Sequence, residues 1–406
     1  MKERRFGSKT VCMPVYSYYP FDPRVRRAAE ALLEEGHSVD VICLRGRGQE
    51  KKGTYNGVNI HRVSLTHKRG GYLRYFYHYT MFFIQVFITL NRLDVRRRYD
   101  VVHVHSLPDF LVFVAIVQKL KGKKIILDLH EVMPEIYAAR FRKKMKDFSV
   151  KGIAFLERIS TAFADGVITV NDVRREVIVM RGVPKRKITV IMNTPDEKLF
   201  VKGTFEKLEK LKAERGLEGK FITVYVGGIN PERNLEVILK AMAIVKNDIP
   251  EVFFLLFGHT YGQAGVNHKE DLRKLSNGLG LRNNVYIGGE LRGEEVASYM
   301  ELAHYGVVSY LVNPMTELAM PNKVFEYIAL DKPIIACRLR GLVSLLGDAA
   351  VIYYNPGDER DLAEKIRWVY NNPDKVEEMT RRAWKIYEKH TWAIMKKRLN
   401  DLYYRI

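Results

Sequence analysis

Val226-Gly227-Gly228-Ile229-Asn230-Pro231-Glu232-Arg233-Asn234 is the stretch on which the fold turns. It follows an apolar run, Phe221–Val226, and precedes a pattern that puts Leu235, Ile238, Leu239 and Met242 on one helical face. Strand, glycine turn and helix in that order open a βαβ unit. Gly227 and Gly228 let backbone approach a ligand closely, and the N-terminus of the helix that follows attracts anions. Arg233 stands at that N-terminus with a planar fork suited to phosphate oxygens. The same residues also suit an ordinary tight turn with a solvated arginine, so the rest of the chain has to decide.

Working outward, apolar runs recur downstream at 252–257, 285–287, 306–309 and 333–336, with helical patterns between them. Upstream they recur at 10–15, 39–44, 101–105, 124–129, 166–170 and 188–192. A chain of 406 residues is longer than one core comfortably supports. The expected architecture is α/β: two doubly wound, Rossmann-like domains. The composition shifts after Thr194-Pro195-Asp196, and 202–220 is densely charged, as a linker or an exposed helix would be. The predicted domains are therefore 1–195, joined by an amphipathic crossover helix at 391–406, and 196–390. Ligands of such folds sit outside the carboxyl ends of the strands, which predicts an active site in a cleft between facing domains.

A second motif, Met320-Pro321-Asn322-Lys323-Val324-Phe325-Glu326-Tyr327, opens a helix after the run 306–309. Lys323 and Glu326 are three apart and share a helix face. A cation there can meet a diphosphate while the carboxylate accepts hydrogen bonds from ribose hydroxyls. An intrahelical ion pair uses the same spacing.

Together these motifs resemble the retaining GT-B glycosyltransferases of family 4, the group 1 type. Asp22-Pro23-Arg24-Val25-Arg26-Arg27 resembles the family's first helix, and Tyr99-Asp100-Val101-Val102-His103-Val104-His105 its strand before the acceptor loop. Asp128-Leu129-His130-Glu131 is similar to the loop holding its active-site histidine. Pro231-Glu232-Arg233-Asn234 is similar to its phosphate turn, and Asn322 to Tyr327 with Asp331-Lys332-Pro333 to its donor helix. The resemblance implies a hexosyl transfer with retention from a UDP-, GDP- or ADP-sugar to a glycan or a lipid-linked acceptor. It implies that His130 contacts the transferred sugar and Arg233 neutralises the diphosphate. Gly227, Gly228, Asn322, Lys323, Glu326 and Glu317 would complete the donor site, with Tyr18, Arg24, His105 and Asp109 toward the acceptor. Two departures stand out. Gly228 replaces an arginine common in the family, a charge Lys323 is expected to supply. Leu318 stands where the first glutamate of the family's pair belongs, with Glu317 one place away.

No Asp-x-Asp pair is present, and His103 and His105 have no clear ligand set around them in sequence, so no metal or other cofactor is expected. Cys12, Cys43 and Cys337 lie in apolar runs without redox spacing and suit a reducing compartment. The start of the chain is basic without an apolar signal core, which predicts a cytoplasmic location. The formal charge of +20 is lopsided: 1–195 holds 36 Lys and Arg against 18 Asp and Glu (+18), and 196–406 holds 31 against 29 (+2). Such asymmetry points to an anionic partner of the first half, with a merely charge-rich surface as the competing reading. The aromatic segment 75–90, followed by Arg96-Arg97-Arg98, predicts a peripheral contact with an anionic membrane, or else a core helix. Three other classes compete for the same residues. A nucleotide-sugar epimerase of the same twin fold stays open. A nicotinamide oxidoreductase lacks its Gly-x-Gly-x-x-Gly turn. A nucleic-acid-binding protein, suggested by the charge, lacks any recognition motif.

Overall fold

The computed structural model describes residues 7–65, 72–197, 199–260, 262–291 and 293–406. Residues 1–6 of the basic N-terminal stretch lie outside the described residues. The chain forms two compact units, Met1–Asn193 with Ala393–Ile406, and Thr194–Trp392.

The first unit is built on β1 (Thr10–Pro14), β2 (Ser38–Leu44), β3 (Lys52–Tyr55), β4 (Val58–Val63), β5 (Val101–His105), β6 (Lys124–Leu129), β7 (Gly166–Thr169) and β8 (Ile188–Val190). They form one sheet in the order β3-β4-β2-β1-β5-β6-β7-β8. All neighbours are parallel except β3 with β4. Its helices are α1 (Pro23–Glu34), α2 (Tyr72–Arg97), α3 (Ile116–Leu120), α4 (Met133–Arg140), α5 (Phe148–Phe163) and α6 (Asp172–Met180), with a 3-10 turn at Asp109–Ala115. The start of α1 is written locally. Pro23 presets the first turn, and the Asp22 carboxylate accepts from the amides of Arg24 (3.1 Å) and Val25 (3.3 Å). The β3–β4 hairpin was not anticipated. Its turn, Asn56-Gly57, has φ of 46° and 85°, the two positive values a tight primed turn requires.

α2 buries Phe82, Val86 and Leu90 against the sheet. The side chain of Tyr75 lies outside the described residues. Of the three arginines at its end, Arg97 is corrected from a surface cation to a structural one. Its guanidinium donates to Asp40 Oδ1 (2.6 Å), Asp40 Oδ2 (2.8 Å) and Ser38 Oγ (2.9 Å).

The second unit runs α7 (Phe205–Arg215), β9 (Phe221–Val226), α8 (Leu235–Val245), β10 (Val252–Phe257), α9 (Gly262–Gly278), β11 (Val285–Ile287), α10 (Glu294–Glu301) and β12 (Gly306–Val308). It continues with α11 (Asn322–Ala329), β13 (Ile334–Cys337), α12 (Arg340–Leu346), β14 (Ile352–Tyr354), α13 (Glu359–Asn371) and α14 (Pro373–Tyr387). Two parallel three-stranded ladders, β11-β10-β9 and β12-β13-β14, meet at a bridge between Thr223 and Tyr305. There Thr223 Oγ1 donates to Tyr305 O at 3.0 Å and His304 N to Ile222 O at 2.8 Å. The charged stretch after the boundary contains the helix α7, opened by Thr204 Oγ1, which accepts from Lys207 N (3.4 Å).

The final helix, α15 (Trp392–Arg405), packs in the first unit. Met192 N donates to Met395 Sδ (3.1 Å), Lys396 pairs with Glu34 (2.7 Å), and Asn400 and Tyr404 bond Glu35 (2.8 and 2.6 Å).

Candidate functional site

In the second unit, the glycine turn leaves the carboxyl end of β9 and is pinned to the end of β10. Gly227 N donates to Phe257 O and Ile229 N to His259 O, both at 3.0 Å. Gly258 approaches so closely that any β-carbon there would strike the Gly227 carbonyl. Pro231–Arg233 makes one 3-10 turn, Asn234 takes φ 46°, and α8 begins. The Arg233 carbonyl accepts from Ser309 Oγ (2.7 Å), and its guanidinium lies 4.6 Å from the Tyr310 ring centre. Arg233 Nε is buried with no hydrogen-bond partner among the described residues, a donor awaiting an acceptor.

α11 brings the second motif to the same place. The Tyr327 hydroxyl donates to the carbonyl of Val224, tying the helix to β9. Asn322 is its first residue. Lys323 Nζ sits 4.2 Å from the Tyr225 ring centre and abuts Gly227, where it fills the space a β-carbon would take. Burial pushes the Lys323 ammonium down, Arg233 pushes it further and Glu326 opposes both, leaving it at about 7. Gly227, Gly228, Arg233, Lys323 and Glu326 are thus one cluster: two cations, one carboxylate and a backbone that a ligand can approach. Glu317 has a structural partner. Its Oε2 accepts from Arg340 N (3.2 Å) at the start of α12, so this carboxylate holds a helix end. Leu318 is buried in the core.

In the first unit, the ends of β5 and β6 carry His103, His105 and Asp128, and His130 follows. The Arg24 fork grips Asp128 (Nη2 to Oδ1 2.7 Å, Nε to Oδ2 2.9 Å) and reaches Ile191 O (3.0 Å) and Asn193 Oδ1 (2.9 Å). Three imidazoles surround the same carboxylate, with His105 Nδ1 at 3.3 Å, His130 Nε2 at 3.6 Å and His103 Nε2 at 3.9 Å from Oδ2. His105 Nδ1 and His130 Nε2 are 3.0 Å apart, so one of them carries the shared hydrogen. His130 N donates to Ser106 Oγ (3.2 Å), and its carbonyl accepts from Arg174 Nη1 (2.7 Å). Burial would raise the Asp128 carboxyl, but Arg24 and the imidazoles hold it well below the usual range. Burial lowers both His103 and His105, which stay neutral near pH 7.

Arg24, His105 and Asp109 are buried, which corrects the expectation that they touch an acceptor. Arg24 is engaged with Asp128, His105 supports the His130 ring, and the Asp109 carboxyl, raised first by burial and then by Glu157, faces the interior. Tyr18 is half-buried against the core, and its carbonyl accepts from Phe21 N (3.0 Å) and Asp22 N (3.2 Å). His103, His105 and Asp128 offer three ligand atoms within 4.8 Å of one another. Both Asp128 oxygens already accept from a guanidinium, whose charge repels a second cation at that point, so the donor set fits a metal poorly. Nothing in the Asp128-Leu129-His130-Glu131 stretch itself names a task for Asp128. Its partner Arg24 lies 104 residues away in the chain, a separation that carries no local signal.

Two parallel doubly wound units, one carrying a cationic glycine turn, define the GT-B architecture. Residues 22–194 match the glycosyl transferase 4-like domain and residues 207–386 the glycosyl transferases group 1, and the chain belongs to this glycosyltransferase family. The sulfoquinovosyl transferase SQD2 of Arabidopsis thaliana is 22% identical over 299 residues, covering 72% of this chain and 54% of that protein. Sucrose-phosphate synthase from Thermosynechococcus elongatus superposes with a TM-score of 0.79 at 18% identity, over 98% of both chains. HepE of Anabaena, solved in complex with UDP, gives 0.74 at 14% identity, over 98% of this chain and 100% of that one. The chain spans about half the length of the curated relatives it matches.

Proposed function

We propose that this protein transfers a hexosyl group, with retention, from a nucleoside-diphosphate sugar to a glycan or lipid-linked acceptor. One observation carries the reading: Lys323 Nζ lies against Gly227, and Arg233 of the same glycine turn keeps a buried Nε with no acceptor among the described residues. Two like charges facing an approachable backbone are costly when empty and favourable once a diphosphate lies between them. Glu326, on the Lys323 face of α11, suits the ribose hydroxyls. His130 would meet the transferred sugar, held by Ser106, Arg174 and the Asp128 cluster. Arg233 and Lys323 supply the charge that a metal supplies elsewhere, so the reaction needs none. Uridine is the first nucleotide to try, since HepE was solved with UDP and with UDP-glucose. The free, buried thiols of Cys12, Cys43 and Cys337 suit work in the cytoplasm.

A thermal-shift panel of UDP-, GDP- and ADP-sugars tests the donor assignment, because a ligand that binds only the folded state raises Tm. One nucleotide class should stabilise the protein. Arg233→Ala and Glu326→Ala should abolish that shift and lower turnover by on the order of 2–4 kcal/mol of transition-state stabilisation, with chelator without effect. No shift with any donor, or wild-type turnover in both variants, would remove the assignment.

A further inference from the structure

The outer surface of the first unit carries an apolar ridge that neither cluster explains. On the side of α2 away from its buried residues, Tyr77, Ile84, Ile88 and Val95 are exposed, Val95 by 75%. Spacings of seven, four and seven residues put them within about 40° of one another around the helix. The neighbouring elements continue the surface. The segment 109–120 bonds to α2 through Gln118 Nε2 to Asn91 Oδ1 (3.1 Å) and is followed by Lys121 Nζ to Asp94 Oδ2 (2.9 Å). It touches α5 through the Phe113 and Phe163 rings, 5.2 Å apart. It exposes Ile116 and Leu120, the latter by 84%. α5 then exposes Phe148, Phe155 and Ile159, again spaced seven and four, with Phe148 at 90%. Single exposed apolar residues are ordinary, but a run across three adjacent elements marks a contact surface.

Charge indicates what covers it. In α2 the single acid is Asp94, buried and bonded to Lys121, whereas Arg92 and Arg96 are exposed on the helix and Arg98 just beyond it. Residues 141–156 set five exposed cations, Arg142, Lys143, Lys144, Lys146 and Lys151, against Asp147 alone. A second copy of this face would bring like charge against like, which opposes self-docking. No described helix is long and apolar enough to cross a membrane.

We propose that α2, α3 and α5 lie flat on an anionic lipid bilayer, with the apolar ridge at the headgroup boundary and the flanking cations against lipid phosphates. The surface is distinct from the donor cluster and stands whether or not the donor assignment does.

The test is sedimentation of the full chain with vesicles of phosphatidylglycerol mixed with phosphatidylcholine, and of phosphatidylcholine alone. The protein should pellet with the anionic vesicles at low salt and be released near ~1 M salt, where the Debye length is about 3 Å. Ile84→Glu with Ile88→Glu should lower partitioning at least roughly tenfold. Arg92→Glu with Arg96→Glu should lower it by at least about fivefold per site. Val95→Glu with Leu120→Glu changes the most exposed apolar positions of α2 and α3 among the described side chains and keeps the test valid if the isoleucine variant folds poorly. Unchanged melting curves certify the variants. Wild-type protein left in the supernatant at low salt overturns the proposal, as do folded apolar variants that pellet like wild type. A dimer without lipid that Val95→Glu with Leu120→Glu converts to monomer would assign the ridge to a second copy and overturn it too.

Discussion

Lys323 is the residue whose chemistry is most exposed to measurement. Its ammonium has a pKa of about 7 in the folded protein, lowered by burial and by Arg233. A diphosphate beside it would favour the charged form and raise that value. Donor affinity should then be full below pH 7 and fall as pH rises past it, by up to about tenfold per unit until the bound-state pKa is reached. Titration calorimetry from pH 6 to 8.5 should show proton uptake on binding at the alkaline end. Lys323→Arg, charged throughout, should flatten the profile. A pH-independent wild-type Kd would mean that Lys323 does not face the phosphates. Without ligand the sign reverses. A lysine whose folded pKa lies below its unfolded one destabilises the fold at pH 7, so Lys323→Met should raise Tm while losing the donor.

At the scale of elements, the strand ends of β9 and β10 fix where the glycine turn can lie. Gly258 has no room for a β-carbon because the Gly227 carbonyl occupies it. Gly258→Ala should therefore push the turn outward, costing about 1–3 kcal/mol of stability and weakening donor binding at least tenfold. A urea melt beside the donor titration checks both, and unchanged values would show the turn to be pliable. The elements best read in sequence were those whose cause is local: the apolar runs, the Asp22-Pro23 helix start, and the face shared by Lys323 and Glu326. The β3–β4 hairpin escaped the sequence reading although Asn56-Gly57 names its turn, because β3 is only four residues long and mostly exposed. What sequence could not supply was long-range partnership. Arg24 reads as an acceptor contact until Asp128 is folded against it, and nothing local in the sequence shows that Glu317 accepts from the amide of Arg340.

At the scale of the whole molecule, the chain leaves its first unit at Asn193 and returns at Ala393. The returning helix is part of that unit's interior. Tyr403 is buried with its hydroxyl 2.9 Å from His103 Nδ1, and Lys9 donates to Ile406 O at 3.2 Å. Stopping the chain at Trp392 should lower the melting temperature of the first unit and expose its apolar surface to a dye such as ANS, while nucleotide still protects the second. A truncated chain that melts as the full one does would show α15 to be dispensable. The same connectivity sets an order of assembly during synthesis. The ribosome delivers residues 1–193 about two hundred residues before the helix that closes over them, whereas 194–392 emerges as one uninterrupted stretch. The unit made first is thus finished last, and it waits, basic and partly uncovered, for its final helix. In that interval it depends on whatever shields a nascent chain.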